Sequence, residues 1–187
     1  MKRDEKPLPH TPLLLHVCCG PCSTSSIERL EELGYKVHMF YSNSNIYPKG
    51  EWEKRYAEVE KVGNYFHLPI IKKEYDHDSW LGEVKGHEDD KEGRERCSIC
   101  FEYNVHIAAT EAKKRGFSYF TTTLSVSPHK RSLTIFSIGE KEEGFVPIDF
   151  KKKGGFHRSI ELSALLDLYR QDYCGCEFSM QRVLQKE

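Results

Sequence analysis

The apolar run LLLHV at residues 13–17 is followed by a turn bearing Gly20 and Pro21. Ile27, Leu30 and Leu33 then recur every three residues up to Gly34. The run reads as a strand buried on both faces, and residues 23–33 read as a helix stopped by that glycine. KVHMFYSN (36–43), rich in Val and aromatic residues, predicts a second strand. Trp52, Tyr56, Val59 and Val62 mark the inner face of a helix over residues 51–65. HLPIIKKEY (67–75) predicts a third strand. Residues 76–96 change character: they are highly charged, with little apolar periodicity beyond Trp80, Leu81 and Val84. A short helix followed by a mobile loop is expected there. Beyond it come a long helix over 98–115 closed by Gly116, and a β-branched strand, YFTTTL, at 119–124. Ser127 as N-cap and Pro128 at the first helical position open a helix that ends near Gly139. FVPIDF (145–150) predicts a fifth strand, KKKGGFHRS (151–159) a basic loop, and Leu162, Leu165, Leu166 and Tyr169 a helix over 159–170.

This alternation predicts an α/β fold: one domain over residues 1–187 with a doubly wound, mostly parallel, Rossmann-like sheet. Residues 1–11 are expected to be flexible, and the C-terminal segment helical. In such sheets ligands bind beyond the carboxyl ends of the strands. Three strand-end loops are expected to converge there: residues 18–22, SNSNIYP (42–48) and TTTLSVSP (121–128).

Composition narrows the partners. Charged residues make up 30% and hydrophobic residues 38% of the 187-residue chain, which fits a globular protein in water. The formal net charge is −1, so a nucleic-acid partner needs a local basic patch. Lys130-Arg131, and Lys151, Lys152 and Lys153 with His157 and Arg158, are the candidates. No apolar run approaches the roughly 20 residues of a membrane span. The N-terminal MKRDEKPLPHTP has no apolar signal core, and a cytoplasmic location is expected.

The cysteines carry the chemistry. All seven fall in three tight clusters: Cys18, Cys19 and Cys22; Cys97 and Cys100; Cys174 and Cys176. Cysteines used as core hydrophobes would be scattered instead. The first two clusters fall at helix starts, where free N–H groups and the macrodipole favour the thiolate. Gly175 gives the third cluster freedom to turn both sulfurs to one centre. Structural zinc needs four thiols, and a dithiol–disulfide enzyme needs two. A [4Fe–4S] cluster takes four and leaves three for a second metal or a reactive site, the best use of the count. His16, inside the first strand, reads as a hydrogen-bonded core histidine. Asp149 is a capping or pocket acid, and Asn45 and Tyr47 lie on the second strand-end loop.

HVCCGPC, YSNSNIYP, RCSICFEYNV, FTTTLSVSPHK and YRQDYCGCEFS occur in this order and contain every cysteine. Together they resemble the QueH family of epoxyqueuosine reductases, over residues 13–179. The resemblance implies a HUP-type nucleotide-binding fold. It implies reduction of the epoxide of epoxyqueuosine, at the wobble position of tRNA, to the cyclopentene of queuosine. That is the last step of queuosine synthesis, carried out without cobalamin but with an external electron donor. It also implies a [4Fe–4S] cluster with an adjacent iron ion, both ligated by these cysteines. Cys97 and Cys100, with Cys18 and Cys176, are expected on the cluster, and Cys19, Cys22 and Cys174 on the second metal. Asp149 or Tyr47 is the expected proton donor; Asn45, Lys130, Arg131 and Arg158 are expected to contact the substrate. Two rivals remain. A HUP-type tRNA-thiolating enzyme would need a phosphate-cradling Gly/Ser loop, and the first loop holds thiols instead. A non-catalytic zinc protein that binds RNA would leave three thiols unused.

Overall fold

The computed structural model describes residues 10–184. The expected flexibility of residues 1–11 therefore falls, up to residue 9, outside the described residues. Four parallel strands form one sheet in the order β3-β2-β1-β4. They are β1 (Thr11–His16), β2 (Tyr35–Tyr41), β3 (Ile70–Lys72) and β4 (Tyr119–Thr122). β1 is central, with Leu13 opposite both Val37 of β2 and Tyr119 of β4. Its leucines alternate between the two faces of the sheet, which explains the unbroken apolar run. Leu13 and Leu15 pack with Ile27, Leu30, Val59 and Val62 on one face. Leu14 packs with Phe40, Val105, Ala108 and Phe120 on the other.

The helices are α1 (Gly20–Glu32), α2 (Lys49–Phe66), α3 (His77–Glu83), α4 (Glu95–Lys114), α5 (Ser132–Gly139), α6 (Gly155–Leu165) and α7 (Glu177–Leu184). α1 lies against α2 and α6, while α4 lies against α5 and the sheet. The α1–α2 approach is close at Gly20, where a Cβ would stand 2.7 Å from the Glu58 carbonyl oxygen. α1 is rich in Ser and Thr yet buried. The hydroxyls of Ser23, Thr24 and Ser26 bond back to the carbonyls of Gly20, Pro21 and Cys22, which satisfies them locally.

Several expected elements differ. The strand expected at 145–150 is one bridge, Phe120 with Phe145. Val146 N–H still donates to Phe120 O at 2.9 Å, but Pro147 has no N–H with which to continue the ladder. Side-chain hydroxyls take over, Thr121 Oγ1 donating to Val146 O and Ser125 Oγ to Ile148 O. The helix expected from Ser127-Pro128 starts at Ser132 instead, because residues 128–130 form a turn; a 3₁₀ turn over Thr123–Val126 precedes it. Ser127 Oγ caps a tight turn, accepting from His129 N–H at 3.3 Å. The last expected helix starts earlier, at Gly155, and ends at Leu165; β3 shrinks to three residues. Residues 84–94 do not form a free loop: Arg96 Nη1 donates to the carbonyls of His87, Glu88 and Asp90. Among the described residues, no helix is long and apolar enough to cross a membrane.

Candidate metal centre

β1 ends at His16, and Cys19 is the extended N-cap residue of α1, so the first thiol loop lies at the carboxyl edge of the central strand. The sulfurs of Cys18, Cys19 and Cys22 all lie within 4.8 Å of one another. Cys18 Sγ is 3.9 Å from Cys19 Sγ. Two thiolates on one tetrahedral ion, with metal–sulfur bonds of about 2.3 Å, stand about 3.8 Å apart. The trio therefore has the geometry of a single-ion site. Thr123, just past β4, fixes it: its Oγ1 accepts from Cys18 N–H at 3.0 Å and donates to Cys18 Sγ at 3.2 Å. Thiol hydrogen bonds from Cys18 and Cys22 hold Cys19 well below the usual thiol range, and the same bonds push Cys18 and Cys22 up. Cys19 stands at the positive end of α1, which favours a thiolate there.

The other four thiols meet elsewhere. α4 begins at Glu95, so Cys97 and Cys100, three residues apart, share a face of its first turns. Gly93 N–H donates to Cys97 Sγ at 3.1 Å. Asn104 Nδ2, one turn beyond Cys100, donates to Cys100 O at 2.8 Å and to Asn45 Oδ1 at 3.2 Å. Cys174 and Cys176 lie on the segment between α6 and α7. Gly175 between them has φ 144°, a left-handed conformation that favours glycine. Arg55, 2% exposed, holds this segment. Its Nη1 donates to Cys174 O at 3.0 Å, its Nη2 to Tyr173 O at 3.4 Å, and its Nε to Glu51 Oε1 at 2.7 Å. Tyr47 N–H donates to Gly175 O at 2.8 Å, and Tyr173 O–H donates to Tyr47 O at 2.7 Å.

Cys97, Cys100, Cys174 and Cys176 line one cavity with Asn45, Trp80 and Arg96. Their sulfurs do not crowd around one point as the trio's do. That spread suits a polynuclear group whose thiolates sit on separate metal atoms. Burial pushes the thiols of Cys97, Cys100 and Cys176 up, and the neighbouring sulfurs add to it. Metal binding at the quartet must then release protons. Two buried nitrogens, Arg96 Nε and Nη2, have no hydrogen-bond acceptor among the described residues, and the buried indole N–H of Trp80 meets the Cys100 thiol. Thiols plus unused donors fit an anionic, sulfur-rich group. Half-buried Lys130 links the two sets of thiols. Burial pulls its pKa down, but the sulfurs of Cys174, Cys18, Cys22 and Cys19 outweigh that and leave it above the usual lysine range.

The expected site residues divide. Asn45, Lys130 and the seven thiols come together. Tyr47 lies at the rim, 41% exposed. Asp149 accepts from Ser132 Oγ at 2.9 Å and lines a separate cavity of about 430 Å³ with Arg158 and no cysteine. Arg158 is engaged by Glu28 and Glu161, and Arg131 is the exposed N-cap residue of α5. The thiols also group differently from the expected allotment: Cys18 lies with Cys19 and Cys22, and Cys174 lies with Cys97, Cys100 and Cys176. His16 is a core histidine as expected. Its Nδ1 pairs with Thr122 Oγ1 at 2.9 Å, and burial lowers its pKa to about 4. Sequence reasoning missed Arg55, Trp80, Arg96, Asn104 and Thr123. Arg55 had a signal, since it sits three residues after Trp52 and four before Val59, on the apolar face of α2.

Fold and thiols together define a class: Rossmann-like α/β proteins that hold a metal or iron–sulfur centre in cysteines at the carboxyl edge of the sheet. The profile of the epoxyqueuosine reductase QueH family matches residues 13–182, and the chain belongs to that family. The QueH epoxyqueuosine reductase of Thermotoga maritima is 38% identical over 182 residues, covering 93% of this chain and 93% of its own. That of Streptococcus pyogenes serotype M1 is 35% identical over 178 residues, covering 89% of this chain and 69% of its own. Among solved structures, the U34-tRNA thiolase NcsA of Methanococcus maripaludis, with its [4Fe–4S] cluster, aligns with a TM-score of 0.57 at 12% identity. That alignment covers 92% of this chain and 62% of the thiolase, and at that identity the likeness is one of fold.

Proposed function

We propose that this chain reduces the epoxide of epoxyqueuosine in tRNA to the alkene of queuosine, without cobalamin, as the last step of queuosine synthesis. The observation that carries the reading is the division of all seven thiols into a single-ion trio and a cavity-lining quartet. We assign Cys97, Cys100, Cys174 and Cys176 to a [4Fe–4S] cluster, and Cys18, Cys19 and Cys22 to an adjacent iron ion. When bound, these groups supply electrons one at a time and a Lewis acid for the epoxide oxygen. The reaction consumes two electrons from an external donor and two protons, breaks both C–O bonds, forms the C=C bond and releases water.

The protein's own groups supply the rest. The Lys130 ammonium, beside the trio, holds positive charge where the oxygen becomes anionic. Asn45 is fixed by Asn104 beside the quartet and orients the substrate. The proton donor is Tyr47 rather than Asp149, because the Tyr47 loop is bonded directly to Gly175 between two quartet thiols. A flipped-out, single-stranded anticodon base reaches such a strand-end pocket, and the exposed Arg131, Lys152 and Lys153 meet phosphates around it. Arg158 backs this basic stretch through its carboxylate pairs rather than by direct contact. The test is anaerobic incubation of the reduced protein with epoxyqueuosine-bearing tRNA, followed by nucleoside mass spectrometry. Loss of one oxygen to give queuosine is expected; unchanged nucleoside with fully metal-loaded protein contradicts the reading.

A further inference from the structure

Trp80 and Arg96 come from different elements, α3 and the first turn of α4, and meet at the quartet cavity. Trp80 is fully buried, and its indole N–H finds no oxygen or nitrogen acceptor; the group it meets is the Cys100 thiol. Arg96 is 1% exposed, and its guanidinium is used on one side only. Nη1 donates to three backbone carbonyls at 2.6–3.2 Å, and the planar face lies 4.8 Å from the Phe178 ring centroid. Nε and Nη2 are buried with no partner. A buried donor without an acceptor is costly, the more so when charged. Two such atoms on Arg96, beside an indole N–H that meets a sulfur, turn a donor-rich wall toward the thiols of this cavity. The carboxylate on that cavity wall, Glu92, belongs to an exposed residue at the rim. Two further oxygens there are already engaged, Asn45 Oδ1 accepting from Asn104 Nδ2 and Ser179 Oγ from Gly175 N–H, which leaves the sulfurs.

We propose that Trp80 and Arg96 donate hydrogen bonds to the sulfurs of the cluster held by Cys97, Cys100, Cys174 and Cys176, and so raise its reduction potential. The proposal rests on the assignment of the cluster to that quartet. Reduction adds negative charge to the sulfurs, so N–H donors and a buried cation favour the reduced state. The consequence for function is that a weaker external reductant suffices to load the electron.

The test is an EPR-monitored potentiometric titration of the anaerobically reconstituted wild type, Trp80→Phe and Arg96→Lys. At the wild-type midpoint, the reduced-to-oxidised ratio of Trp80→Phe is expected to fall about tenfold, a downward shift of about 59 mV for one electron. Arg96→Lys keeps the charge and is expected to shift in the same direction by less. Wild-type protein labelled with ¹⁵N in tryptophan gives a readout that does not depend on variant folding. Its reduced cluster is expected to show a nitrogen hyperfine coupling that Trp80→Phe lacks. A cluster of normal sulfide content with no such coupling and unchanged midpoints overturns the proposal and leaves the quartet assignment intact. Wild-type protein without acid-labile sulfide overturns both.

Discussion

Arg55 has the most distant consequences of any single residue outside the thiols. It pairs with Glu51 one turn away and holds two carbonyls more than a hundred residues along the chain. Glu51 is itself only 11% exposed. Removing one partner of a buried pair strands the other, at about 3–5 kcal/mol. Arg55→Met is therefore expected to lower the unfolding free energy, read from denaturant titration, by that amount and to reduce iron retention, both measurable on the purified variant. Gly20→Ala is a second residue-scale prediction. The new Cβ would press on the Glu58 backbone, and overpacking costs about 1–3 kcal/mol by equilibrium unfolding. The cysteines were legible because their clustering is local. Arg96 was not, because its acceptors are backbone carbonyls, which carry no residue type to read. The grouping of the thiols was also hidden. Spacing shows that Cys18 and Cys97 are both at helix starts, but only the fold shows that Cys174 lies beside Cys97 and Cys100.

At the scale of the element, α3 matters most, since it carries both Trp80 and His77. His77 lies between Ser44 O, at 2.7 Å, and Glu177 Oε1, at 3.0 Å, and so ties α3 to the start of α7. α3 has only seven residues, and its N-terminus is fixed by Asp76, which accepts from Ser79 N–H at 3.2 Å and Ser79 Oγ–H at 2.6 Å. These bonds hold the Asp76 carboxyl below its ordinary value of 3.8. A depressed carboxylate contributes its stability above the unfolded pKa and loses it as the pH falls through the folded value. Asp76→Ala is expected to cost about 0.5–2 kcal/mol near neutral pH. The gap from wild type should close as the pH drops below the carboxylate range, read from urea midpoints across a pH series. A constant gap would mean that the cap acts through shape rather than charge. The elements themselves were mostly legible, because β1, α2 and α4 carry unmixed periodic patterns. The fifth strand was not: the pattern of residues 145–150 reads as a strand, but Pro147 removes the donor the ladder needs.

At the scale of the molecule, three strand-end loops, the first turns of α4 and the segment before α7 are drawn to one edge of a four-stranded sheet. Lys130 is close enough to feel the charge of both sets of thiols; the trio comes from one loop, while the quartet joins Cys97 and Cys100 to Cys174 and Cys176 from far along the chain. The doubly wound topology was readable from the β/α alternation, and the thiol trio lies at the carboxyl edge to which it pointed. The central claim is that one edge holds two distinct metal groups. Iron and acid-labile sulfide in anaerobically reconstituted protein, compared between wild type, Cys19→Ser and Cys100→Ser, test it most directly. About five irons and four sulfides are expected in the wild type. Cys19→Ser should lose about one iron and keep its sulfide, and Cys100→Ser should lose sulfide and most of its iron. A colourless wild type with one zinc and no sulfide, or sulfide lost from Cys19→Ser and retained in Cys100→Ser, would contradict it.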